Sequence, residues 1–169
     1  MQFEIVFFYM WAGLCGLVLG SFYNVVIYRY QTGISIIRPR SHCPHCKTTL
    51  QTTDMVPVLS YIFLRGRCRY CEAKISFRYT AVELFSAVLF VAAFWRFGFS
   101  LDLLKYLPLF SILLIVSAID LERQKIPNLF TAIILAWALL WQVSNPSRPW
   151  IDAALGLLAG GGITLLIAL

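Results

Sequence analysis

Basic residues are missing from the first 28 positions, where Glu4 is the only charge. A cleaved secretory signal opens with Lys or Arg and carries an apolar segment of about 7–15 residues. The apolar run here, from about Ile5 to Ile27, is longer, so it reads as a retained first span. Charge is scarce throughout, with 13% of the 169 residues Asp, Glu, Lys or Arg. The sequence also lacks an internal repeat, a low-complexity tract and a Gly-x-Gly-x-x-Gly signature. The last absence removes the usual Gly-rich cofactor loop from consideration.

What fills the chain instead is apolar. These residues make up 60% of it, against about 45–50% in soluble domains, and the mean hydropathy is +0.77. That much apolar surface calls for a bilayer. Beyond Ile5–Ile27, further runs extend from about Tyr79 to Phe97, Leu103 to Ile119, Ile126 to Val143, and from Ile151 onward to Leu169. The expected fold is an all-α membrane protein, a polytopic helical bundle with one small zinc-binding loop domain. The expected division is a first transmembrane helix over 1–28, a loop over 29–78, and four further transmembrane helices over 79–169 (about 79–97, 103–120, 126–143 and 151–169). Two Gly-x-x-x-Gly spacings, Gly16 to Gly20 and Gly156 to Gly160, would let helix backbones approach closely, although chance produces them too.

The net charge of +6 is concentrated. Arg29, Arg38, Arg40, Lys47, Arg65, Arg67, Arg69, Lys74 and Arg78 lie in one stretch, against Asp54 and Glu72 alone. A basic stretch signals nucleic acid in some proteins. Flanked by apolar spans, it signals the cytoplasmic side of a membrane instead, with anionic lipid headgroups as neighbours and no nucleic-acid partner. The N-terminus is then outside, and Arg123 and Lys125 are inside.

Within the basic loop, Cys43-Pro-His-Cys46 and Cys68-Arg-Tyr-Cys71 form two Cys-x-x-Cys pairs separated by 21 residues. Four thiolates in this arrangement suit one tetrahedral zinc ion. A disulfide would not persist in the cytoplasm, and a redox motif would want a βαβ context. A four-thiolate site has no open position, so the zinc would be structural and would supply much of the loop's folding free energy. His42 and His45 read as solvated loop residues, with ligation as the alternative. Cys15, inside the first span, reads as a small packed hydrophobe.

Several polar residues fall at membrane depth. Ser21, Asn24 and Tyr28 form one stripe at the inner end of the first span, suited to interhelical packing or to lining a groove. Glu83, near the inner end of the second span, would snorkel or pair with Arg78. Asp120 closes the third span at the cytoplasmic side. Carboxylates at that depth are costly and commonly functional, the alternative being an interfacial pair with Arg123 or Lys125.

Taken together, the segments Gly20–Arg29 (GSFYNVVIYR), Arg40–Cys46 (RSHCPHC), Val56–Ser60 (VPVLS), Arg65–Cys71 (RGRCRYC), Ile75–Glu83 (ISFRYTAVE) and Asp120 with Ile126-Pro-Asn128 resemble the type IV prepilin leader peptidase family. These are aspartyl peptidases of the bacterial inner membrane that often double as N-methyltransferases. The resemblance implies cleavage of the basic leader of type IV prepilins or pseudopilins, after a glycine, at the cytoplasmic membrane face. The systems served would be pili, secretion or competence. It implies Asp120 as a catalytic aspartate and S-adenosylmethionine as methyl donor. Aspartyl chemistry needs two carboxylates sharing a proton. The family's second, in a Gly-x-Gly-Asp segment, has no match here, since Gly160-Gly-Gly-Ile163 lacks the aspartate. Asp152 is expected on the outer face, Glu122 points away from Asp120, and Asp54 would approach only by folding back. The chain therefore reads as half a dyad, from a fragment or an inactive relative. The alternative function is a non-catalytic membrane adaptor with a zinc-stabilised loop. A transporter would need charges nearer mid-bilayer.

Overall fold

The computed structural model describes residues 2–38, 40–144 and 149–168, with side chains at 4–38, 40–144 and 149–160. Among these, six helices follow in order: α1 (Gln2–Thr32), α2 (Leu59–Phe63), α3 (Phe77–Phe97), α4 (Leu101–Arg123), α5 (Asn128–Ser144) and α6 (Trp150–Ala168), with a 3-10 turn at Thr52–Met55. No strand occurs among the described residues. The expected all-α membrane architecture is observed. Glu4–Thr32, Phe77–Phe97 and Leu101–Arg123 are long and apolar enough to cross a bilayer. At 17 residues, α5 is about 25 Å long, somewhat short of a hydrocarbon core of about 30 Å. The chain forms two compact units, Met1–Pro127 and Asn128–Leu169.

The first unit is built on a close antiparallel contact between α1 and α3. A Cβ on Gly16 would lie 2.6 Å from the Ala87 Cα and 2.7 Å from the Ser86 carbonyl oxygen, and one on Gly20 would lie 2.7 Å from the Glu83 Cα. Four residues forward on α1 thus match four residues back on α3. The register continues to Asn24, whose Nδ2 donates to the Tyr79 carbonyl at 2.8 Å. The first Gly-x-x-x-Gly is therefore a packing device inside the chain. The second is not one among the described residues, because a Cβ on Gly156 or Gly160 meets nothing within 4 Å.

Capping sets the helix ends. Ser76 accepts from the Arg78 amide at the start of α3, and Ser100 accepts from the Leu103 amide at the start of α4. Gly98, at φ 54°, ends α3, and the short turn to Leu101 makes α3 and α4 antiparallel neighbours. The C-terminal end of α1, the start of α3 and the end of α4 therefore lie together, with the loop between α1 and α3 attached at that end. At the opposite end Phe8, Phe94 and Phe99 cluster, with Phe99 centroids 5.0 Å from both partners. Trp11, Leu14 and Val18 on α1 are exposed, as contact with lipid requires. Cys15 is exposed with them, which corrects the expectation that it packs. Among the described residues its face of α1, with Trp11, Leu14 and Val18, is left uncovered.

Candidate functional site

The loop folds around its cysteines. The two Cys-x-x-Cys pairs are built alike. In the first, the Lys47 amide donates to the Cys43 carbonyl and the Cys43 amide to Thr48; in the second, the Glu72 amide donates to Cys68 and the Cys68 amide to Ala73. The residue after each pair turns left-handed, Lys47 at φ 60° and Glu72 at φ 57°. Single β-bridges, His42 with Thr49 and Arg67 with Lys74, close the two turns.

The four sulfurs of Cys43, Cys46, Cys68 and Cys71 all lie within 4.8 Å of one another, and the Cys43 and Cys71 Sγ atoms are 3.9 Å apart. Four sulfurs at about 2.3 Å from a tetrahedral zinc stand about 3.8 Å apart, so the quartet fits such an ion. The thiols are primed for unequal proton loss. The Thr48 hydroxyl and amide draw Cys46 down to about 6, and the Tyr70 amide lowers Cys68 against its burial. At Cys71 the Ala73 amide pulls downward, but burial and the three neighbouring sulfurs outweigh it and push the thiol up to about 11. His42 and His45 stand outside the sulfur cluster, the His42 Nδ1 lying 3.2 Å from the Arg40 carbonyl.

Between this loop, the C-terminal end of α1 and the start of α3 lies a cavity of about 370 Å³. The stripe Ser21, Asn24 and Tyr28 lines it, so that stripe serves both packing and lining. Glu83 lines it as well. Rather than snorkelling or pairing with Arg78, Glu83 is buried and accepts from the Val58 amide at 2.8 Å. Asp54 is held on the loop. Arg69 Nε donates to it at 2.7 Å, Tyr70 Oη at 3.1 Å and the Gln51 amide at 3.1 Å. Burial works to raise the Asp54 carboxyl, but the Gln51 amide, Arg69 and Tyr70 together hold it below its ordinary value. Arg29 fastens the start of the loop, its Nη1 donating to the Ser35 and Ile36 carbonyls.

Asp120 occupies the last turn of α4, where Gln124 turns left-handed and returns its amide to the Asp120 carbonyl. Its side chain is exposed and, among the described residues, pairs with neither Arg123 nor Lys125. Glu122, two residues on, is engaged from two other helices: Gln31 Nε2 donates to it at 2.6 Å and Arg78 Nη1 forms an ion pair with it. The structure thus keeps one carboxylate free and ties down its neighbour, at the end of the bundle that carries the loop.

Comparison with known proteins gives the family. Residues 14–97 match the bacterial peptidase A24 N-terminal domain, and residues 107–169 match the type IV leader peptidase family. A prepilin leader peptidase/N-methyltransferase of Klebsiella pneumoniae is 36% identical over 168 residues, covering 94% of this chain and 74% of that protein. The chain belongs to the type IV leader peptidase family. Its relatives include the Bacillus subtilis prepilin leader peptidase/N-methyltransferase, 41% identical across 86% of this chain and 58% of that protein. They also include the Escherichia coli type 4 prepilin-like proteins leader peptide-processing enzyme, 40% identical across 86% and 61%. The chain spans about three-fifths of the length of these two. No solved structure matches it.

The family's N-terminal domain match contains the cysteine quartet and the cavity, and its leader peptidase match contains Asp120. Sequence reasoning missed the Val58–Glu83 contact and the link from Glu122 to Arg78 and Gln31. Their partners stand 25, 44 and 91 residues apart, beyond the reach of any local pattern. Val58 carried one signal, its place in Val56-Pro-Val-Leu-Ser60.

Proposed function

We propose that this chain carries the leader peptidase activity of its family, cleaving the basic leader of type IV prepilins or pseudopilins after a glycine at the cytoplasmic membrane face. Asp120 supplies one of the two carboxylates. The observation that carries this reading is the free, exposed carboxylate of Asp120 at the loop-bearing end of the bundle. In aspartyl chemistry one carboxylate takes a proton from water while a protonated partner polarises the scissile carbonyl. Glu122 and Asp54 are engaged by Arg78 and Arg69, so neither is offered as the partner. The second carboxylate is assigned outside the described residues of the first unit. The chain sits in a bacterial inner membrane with its N-terminus outside and the loop in the cytoplasm, a topology supported by the nine Lys and Arg of residues 29–78.

The quartet Cys43, Cys46, Cys68 and Cys71 holds a structural zinc ion that fixes the loop over the cavity. The cavity is assigned to N-methylation of the newly exposed N-terminus. Its volume lies within the range of about 300–1,000 Å³ seen for small-molecule sites. Carboxylates at Glu83 and Asp54 face it together with Arg69 and Lys74, a mixed lining that suits a zwitterion such as S-adenosylmethionine, which supplies a methyl group on a sulfonium. The chain's part is to bind both reactants and keep water out.

Mass spectrometry of a prepilin incubated with membranes containing the protein tests the reading. Loss of the leader is expected with the wild-type protein and not with Asp120→Asn, and gain of one methyl group is expected only after the leader is lost. Leader loss undiminished in Asp120→Asn would remove Asp120 from the mechanism.

A further inference from the structure

We propose that Glu83 and Asn24 form a seat for an alkylammonium group at the membrane end of the cavity. Glu83 is 8% exposed. It accepts from the Val58 amide, and Ser21 lines the same cavity. Among the described residues no Lys or Arg pairs with it, and Arg78, five residues earlier on α3, turns to Glu122. A carboxylate at this depth without a cation is costly, and such groups are kept where a ligand completes them.

Asn24 supplies the independent observation. It is 5% exposed and gives its Nδ2 to the Tyr79 carbonyl, which fixes its amide orientation. That leaves its Oδ1 buried with no hydrogen-bond partner. Gly20 lies against the Glu83 backbone and Asn24, one turn later on α1, against Tyr79, so Glu83 and Asn24 stand one turn apart along the α1–α3 contact. Both residues line the cavity. A buried carboxyl without a counter-charge and an acceptor without a donor, both lining one cavity, suit a group that is positive and rich in N–H donors. An alkylammonium carries three such donors on one charged centre.

This inference rests on the methyl-transfer reading of the cavity only for the source of the ammonium, not for the seat itself. The ammonium is either the new N-terminus of a cleaved substrate or the α-amino group of S-adenosylmethionine.

The test is calorimetric titration of the purified, zinc-loaded protein in lipid nanodiscs with n-butylammonium chloride and, separately, with 1-butanol, which matches its size without charge or ammonium donors. The wild-type protein is expected to prefer butylammonium by at least about tenfold, and Glu83→Gln to lose that preference with zinc content unchanged. Equal binding of the two probes by the wild-type protein overturns the proposal, and so does an undiminished preference in Glu83→Gln. Should that variant fail to fold, the wild-type comparison decides alone. S-adenosylhomocysteine, which has the α-ammonium but no transferable methyl, then identifies the source. Competition with butylammonium assigns the seat to the methyl donor, and simultaneous binding assigns it to the substrate N-terminus. Prepilin cleavage by the wild-type protein is scored separately, so failure of the peptidase reading and failure of the seat are distinguishable.

Discussion

At the scale of single residues, two positions of the loop hold strained backbone. Lys47 and Glu72 hold left-handed backbone at the same place in the two cysteine turns. A non-glycine residue there costs about 1 kcal/mol, so Lys47→Gly and Glu72→Gly are each expected to raise the loop's thermal midpoint in the zinc-loaded protein, and a fall in either would contradict the assignment. Protonation gives a second expectation. Cys46 is lowered to about 6, so its thiolate supports the folded loop fully above the ordinary thiol range and is lost as the pH falls through about 6. The Asp54 carboxylate, also lowered, keeps its contribution at that pH and loses it only below the ordinary carboxylate range. Metal binding needs thiolates. Because a bound ion holds its thiolates deprotonated below their metal-free values, zinc release, followed with a chromogenic indicator, is expected only at a pH below the metal-free value of Cys46. Release already above that value would contradict it.

At the scale of elements, two contacts organise the first unit. Gly16 and Gly20 bring α1 against α3 closely enough that a side chain at either would press on backbone. Gly16→Leu is expected to destabilise the bundle by about 1–3 kcal/mol, read as a lower thermal midpoint in detergent. The Arg78–Glu122 pair ties α3 to α4 beside Asp120. Both side chains are partly exposed, so a double-mutant cycle is expected to give a coupling of about 0.5–1 kcal/mol, and none at all would mean the pair does not fix the end of α4. These elements differ in how far the sequence discloses them. The Gly16–Gly20 spacing marks a close helix contact but not its partner, and the identical spacing at Gly156–Gly160 meets nothing among the described residues. Cys43, Cys46, Cys68 and Cys71 were legible because Cys-x-x-Cys is a local constraint imposed by metal geometry. Asp120 was legible by resemblance and by depth. The burial of Glu83 and the exposure of Cys15 were not, because each depends on what another segment places beside it.

At the scale of the whole molecule, the first unit gathers three parts at one end of the bundle: a thiol quartet, a cavity beneath it and a free carboxylate at the end of α4. The loop between α1 and α3, with Cys43 and Cys68 among its few buried apolar side chains, has little core of its own, so a metal held by the quartet would supply what apolar burial does not. Chelation of zinc is expected to expose this loop to proteolysis while α1, α3 and α4 stay protected. Uniform protection would show that the metal is dispensable.

The central claim is that Asp120 performs the cleavage rather than merely ending a helix. Its most direct test is the rate of prepilin cleavage in membranes by the polypeptide carrying these 169 residues, compared with its Asp120→Asn and Cys43→Ser variants at equal folded protein. The account predicts a loss of about 10²–10⁴-fold for Asp120→Asn, as for removal of a catalytic acid or base, with zinc content unchanged. Cleavage at the wild-type rate by Asp120→Asn would contradict it, because the hydrolysis would then not depend on the Asp120 carboxylate.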